Sequence, residues 1–118
     1  MITWKVQPKT HTFHSAETGK VDGKVFNLNG EYTELIITTK GADSWDGTVT
    51  FKASQDGTNF SDIIGSRMDT AALATTYTGT DVCLFRFNVS GIVKFYCPIS
   101  GTTTGNVTVT GSAVVGSN

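Results

Sequence analysis

Short runs in which apolar and polar residues alternate one by one, each closed by a Gly, Asn or Asp turn, govern what this 118-residue chain can fold into. The stretch from Gly47 to Phe60 reads GTVTFKASQDGTNF. Thr48, Thr50, Lys52 and Ser54 alternate with Val49, Phe51 and Ala53. A period of two belongs to a strand with one buried and one wet face. Asp56-Gly57 then supplies the residues of a tight turn, because Gly takes positive φ without steric cost and Asp tolerates it. The stretch predicts a hairpin.

The same grammar recurs along the chain. "ITWKVQ" predicts a first strand that Pro8 stops, and "HTFHSA" a second, weaker one. "KVFNLN" ends at Asn29-Gly30, and "YTELIITTK" carries Leu35, Ile36 and Ile37 in a row, which predicts a central strand. "NFSDII", "VCLFRFNV", "VKFYCPI" and "GNVTVTGSAVV" complete the set, with Pro98 marking a strand end or an edge. About eight short strands with regular turn signals predict a single all-β domain over residues 1–118, an antiparallel β-sandwich or jelly roll rather than βαβ units. Val49, Phe51, Phe60, Phe85, Phe87, Phe95, Val107 and Val109 are its expected core. Only "SRMDTAALATTY", Ser66 to Tyr77, has any helical character, and it reads as a long connection with at most a short helix.

Cys83, Phe85 and Phe87 share one face of their strand, as do Val93, Phe95 and Cys97. If the segment from Asn88 to Val93 closes a hairpin, pairing Phe87 with Val93 puts both apolar sets on one side and sets Cys83 opposite Cys97. Both thiols are expected to be reduced, since directly opposed pairs strain a disulfide and no export signal is visible.

Charge excludes several function classes. Net charge is -1 with a pI near 6.0, so the chain has no electrostatic footprint for nucleic acid or an anionic membrane. No apolar stretch approaches the ~20 residues of a membrane helix, and the first residues lack the apolar core of a signal peptide. Charged residues make up 16%, against roughly 25% in an average domain, and Thr, Ser, Asn and Gly fill the difference. Such a surface suits contact between proteins.

Catalytic signatures are weak. Ser15, His14 and Asp22 are merely close in sequence, with no nucleophile elbow around them. "GTTTG" lacks the lysine of a phosphate loop. The cysteines and histidines lack zinc-ligand spacing. Asp43, Asp46, Asp56 and Asp62 sit in or beside loops, where they either offer oxygen to Ca²⁺ or, the favoured reading, bond back to the turn backbone. Trp45, in "GADSWDG", has two readings: an exposed ring for a sugar or a partner, or a ring folded back to plug the end of the sandwich. Trp4 either covers the core or docks on a neighbouring subunit, and Tyr77 is the third aromatic of interest.

Two blocks carry a family resemblance. One is the G-x-V-x-F-x-x-S-x-D-G pattern from Gly47, and the other is "FRFNVSGIVKFYCPISGTTTGNVTVTGSA" from Phe85 to Ala113. Together they resemble the small β-sandwich virion proteins of tailed bacteriophages, of the capsid-decoration, head-fibre and tail-accessory types. Similar blocks occur in galactose-binding-like and other carbohydrate-binding sandwiches. The family often has Trp after the "DG" turn, where this chain has Phe60. The resemblance implies a non-enzymatic structural protein without cofactor or metal. It would be located in the virion, bound to other virion proteins and self-associated in a ring, a trimer at a capsid three-fold position. It leaves residues 1–24 as an arm or edge strand. The alternative it carries is a carbohydrate-binding module for a host-surface glycan. In either case Trp4, Trp45, Asp46 and Tyr77 are the candidate contacts.

Overall fold

A computed structural model of the chain describes residues 8–115. "ITWKVQ" and Trp4 lie outside the described residues. Among those described, thirteen strands and no helix appear: β1 (Lys9–Glu17), β2 (Phe26–Asn27), β3 (Glu34–Ala42), β4 (Thr48–Thr50), β5 (Lys52–Ser54), β6 (Ser61–Asp62), β7 (Gly65–Arg67), β8 (Leu73–Ala74), β9 (Thr76–Tyr77), β10 (Cys83–Asn88), β11 (Lys94–Tyr96), β12 (Ile99–Ser100) and β13 (Asn106–Val114). All pairings are antiparallel.

The strands build a two-layered sandwich. One layer is a six-stranded sheet in the order β1-β13-β3-β10-β7-β8. The other consists of a four-stranded ladder, β2-β11-β5-β6, and a three-stranded one, β12-β4-β9. These two ladders run end to end, because β4 and β5 are parted only by Phe51, and β11 and β12 only by Cys97 and Pro98. Pro98 has no N–H to offer a ladder, but its carbonyl accepts from Thr50 N at 3.0 Å and holds the joint.

Alternation explains the core. On β13, Val107, Val109 and Ala113 point inward and Thr108, Thr110 and Ser112 outward. On β10, Cys83, Phe85 and Phe87 are buried between exposed neighbours. On β3, Leu35 and Ile37 are inside, while Ile36 sits half-buried on the outer face of this interior strand. The layers meet through aromatic rings: Phe51 lies 5.0 Å from Phe85 and 4.9 Å from Phe87, and Phe87 lies 5.1 Å from Phe95. Such tilted and edge-on pairs add to the hydrophobic gain of burial.

Four expectations need correction. Phe60 is half-buried rather than core. Ser61 pairs with the inward-facing Ala53, so Phe60 points to the opposite side, where its ring meets Tyr96 edge-on at 4.9 Å. Residues 66–77 form no helix; they supply β7, β8 and β9, consistent with the β-branched Thr75 and Thr76. The segment from Asn88 to Val93 closes no hairpin. β10 pairs with β3 and β7, whereas β11 pairs with β2 and β5, so the chain crosses here from one layer to the other. Cys83 therefore faces Thr39 in the ladder, not Cys97. Both cysteines are free and buried, and burial raises both thiol pKa values, Cys97 the further.

The segment before Val25 contributes β1, the long edge strand of the six-stranded sheet. Its register on β13 slips on both sides of His14. Bulges of this kind re-aim side chains, and here Phe13 and His14, although consecutive, are both buried. His14 Nε2 donates to the carbonyl of Cys97 at 2.6 Å, tying this edge strand to the opposite layer.

Candidate functional site

The loops 43–47 and 101–105 meet at one end of the sandwich and gather three of the four residues singled out from the sequence. The Trp45 ring is 3% exposed and stacks on Tyr77 at 5.8 Å. Its Nε1 donates to Thr102 Oγ1 at 3.2 Å. Gly47 admits the ring, since a Cβ there would lie 2.8 Å from Trp45 Cζ2 and 2.3 Å from Thr102 Oγ1. The Tyr77 hydroxyl accepts from Gly41 N at 3.0 Å and donates to the Asp81 carbonyl at 2.6 Å. Burial raises its pKa. The two rings thus plug the end of the core, and neither presents a face on which a sugar could stack.

Asp46 is exposed but occupied. It accepts from Thr103 N at 2.8 Å, from Thr104 N at 3.1 Å and from the Thr103 hydroxyl. The Thr103 hydroxyl leads the causes that lower its pKa to about 2, followed by the two backbone donors. Asp46 fastens one loop to the other, which is a structural use of a carboxylate.

The Asp56 carboxylate closes its own turn in the same way. It accepts from Asn59 N and Thr58 N, each at 2.8 Å, from Asn59 Nδ2 at 2.7 Å and from Ser54 Oγ at 3.0 Å. The backbone N–H of Asn59 is the largest of the causes holding it well below the usual carboxylate range. Asp43 accepts from Asn106 Nδ2, and Asp62 pairs with Lys52 at 2.7 Å. No cluster of three or more His, Cys, Asp or Glu suited to a metal occurs among the described residues. An open groove of about 470 Å³ runs beside the Asp56 turn over Ile63 and Ile92, but both of its carboxylates, Asp56 and Asp62, are already engaged.

The outer face of the six-stranded sheet is a second candidate surface. Register aligns Thr12, Thr110 and Thr38 in one row across β1, β13 and β3, and Thr10, Ser112 and Ile36 in the next. These six side chains line a shallow trough of about 380 Å³. Arg86 and Glu34 pair with each other at 2.5 Å on the same face. The surface offers hydroxyls and aliphatic carbon, and exposed Lys40, opposite Thr108, adds a positive charge at one end of it. Its outward Thr and Ser residues on β13 are readable from alternation; their alignment with Thr38 and Thr12 needs the strand order, which the sequence does not print.

Against known proteins, the model of the XepA family matches residues 7–113. The chain belongs to the XepA family. The SPBc2 prophage-derived protein YomS superposes with a TM-score of 0.82 at 22% identity, over 96% of this chain and 98% of YomS. The PBSX exported protein XepA superposes with a TM-score of 0.82 at 20% identity, over 91% of this chain. The match covers only 37% of XepA, so this chain spans little more than a third of that protein. No curated protein sequence matches significantly. YomS and XepA share the all-β sandwich with this chain, and YomS is by its description prophage-derived.

Proposed function

We propose that the chain is a non-enzymatic structural protein of a phage particle, a capsid-decoration, head-accessory or tail-accessory component that works by protein–protein contact. The observation that carries this reading is the outer face of the six-stranded sheet. It is broad and rich in Thr and Ser, and Arg86 and Glu34 neutralise each other on it. Interfaces deplete charge at their centres, and the Thr12, Thr110 and Thr38 row and its neighbour carry no charged side chain, so this face suits a protein partner. Repetition supplies strength: copies bound side by side on a lattice gain avidity without a deep pocket. XepA is an exported protein, and a virion component likewise leaves the cell.

Protein mass spectrometry of purified particles tests this assignment. The chain is expected in the particles at a fixed ratio to the major capsid or tail protein. Finding it only in the soluble lysate, with particles free of it, refutes the virion role.

A further inference from the structure

We infer that the outer face of the four-stranded ladder holds a saccharide-binding site, centred on Tyr96 and suited to a sugar that carries a carboxylate. The inference goes beyond the structural-protein reading and does not rest on it.

Register places the residues. Phe95 and Ala53 are buried beneath the ladder, so Lys94 and Tyr96 on β11 and Lys52 on β5 point outward. Tyr96 pairs with Lys52, and Lys52 with Asp62, which sets these three in one row across β11, β5 and β6. The next row runs from Asn27 on β2 through Lys94 to Ser54. Phe60, two residues before Asp62, shares its direction and meets Tyr96 edge-on at 4.9 Å. Two half-buried aromatic side chains thus stand on a face whose other members are polar. Neither ring belongs to the core. The rings at the loop end are buried, and these two are not.

The polar heads around the rings are open. Among the described residues, the Tyr96 hydroxyl, the Lys94 ammonium and the Asn27 side-chain amide have no hydrogen-bond partner. A Cβ on Gly57 would meet Lys94 Cε at 3.7 Å, so the lysine stem lies along the Asp56 turn. The Asp56 carboxylate is engaged there by Ser54, Thr58 and Asn59 and forms no ion pair with Lys94.

This combination selects the ligand. A pyranose has C–H faces that pack on an aromatic ring and a rim of hydroxyls that bond to amides, ammonium groups and carboxylates. Lys52 and Asp62, joined at 2.7 Å, set a donor and an acceptor side by side, as neighbouring hydroxyls require. Lys94 stands two residues from Tyr96, about 7 Å along the strand, and meets an acidic substituent of a sugar seated on the ring. A charge-assisted bond of this kind is stronger than a neutral one. Sealing the same open polar heads under an apolar protein surface is costly, whereas sugar hydroxyls satisfy them.

Chemical-shift titration of the full chain with cellobiose and with cellobiouronic acid, whose terminal ring is a glucuronate, tests the inference. Both sugars are expected to bind, the acidic one at least tenfold tighter. Tyr96→Ala is expected to weaken both at least tenfold while Trp45 keeps the emission of a buried indole. Lys94→Gln is expected to bring the acidic sugar down to the affinity of the neutral one. If emission shows that Tyr96→Ala does not fold, Tyr96→Leu, which keeps apolar cover for Phe60 without an aromatic face, gives the answer. No shift with either sugar at about 10 mM, where even millimolar affinity approaches saturation, overturns the site. Binding unchanged within twofold in the folded Tyr96 variant overturns it as well. Equal affinity of the two sugars for the unaltered chain overturns the acidic preference. Particle content decides the virion assignment whichever of these results is found.

Discussion

Truncation of Phe87 to Ala is expected to lower the unfolding free energy by about 3–5 kcal/mol, measured by denaturant titration. Its ring is fully buried and contacts Phe51 and Phe95 from the opposite layer and Phe85 from its own strand. Gly65 lies against it so closely that a Cβ there would be 2.5 Å from Phe87 Cε2. Little backbone freedom remains to collapse onto the vacated volume, which favours the upper part of the range. A loss below about 1 kcal/mol would mean that β10 faces the core with its other side.

Replacement of Trp45 by Ala is expected to cost a similar amount, about 3–5 kcal/mol. The substitution removes the ring stacked on Tyr77 and takes the indole donor from Thr102. Its effect separates the two readings of this residue. A plug loses stability when deleted. A ring held outside for a partner is a surface residue, and its deletion shifts stability by no more than about 0.5 kcal/mol.

Much of this architecture is legible in the sequence because burial has a period. β13 and β10 follow from strict alternation, and the Asp56-Gly57 turn follows from its chemistry. The misreadings share a cause. Phe85 and Phe87 face Phe51 and Phe95 across the sandwich, and two strands that face each other across a core are apolar on the same schedule as two neighbours in one sheet. Alternation cannot tell a hairpin from a crossing, so the segment from Asn88 to Val93 looks in the sequence like the former. β1 hides its burial pattern because its bulges turn Phe13 and His14 inward together. β8 and β9 have two residues each, too few for any period to show.

The loop end illustrates a further limit. The sequence marks Trp45, Asp46 and Tyr77 as candidate contacts for a partner or a glycan, whereas in the structure the two rings close the core and the carboxylate binds two loops. Residue type marks a position as costly to change without saying whether its partner is the chain itself or another molecule. The outer sheet face carries the opposite message. Thr12, Thr38 and Thr110 look unremarkable one at a time and become a surface only when strand order aligns them.

The central claim is that the chain works through this sheet face and not through its loop end. Add-back to particles assembled without the chain tests it most directly, with bound protein quantified after sedimentation of the particles. Purified chain is expected to bind to saturation at a fixed number of copies. Thr38→Arg, which places a charge in the middle of the face, should abolish binding, and Asp46→Asn at the loop end should retain it. Failure of the unaltered chain to bind, or loss of binding in Asp46→Asn with full binding in Thr38→Arg, would contradict the account.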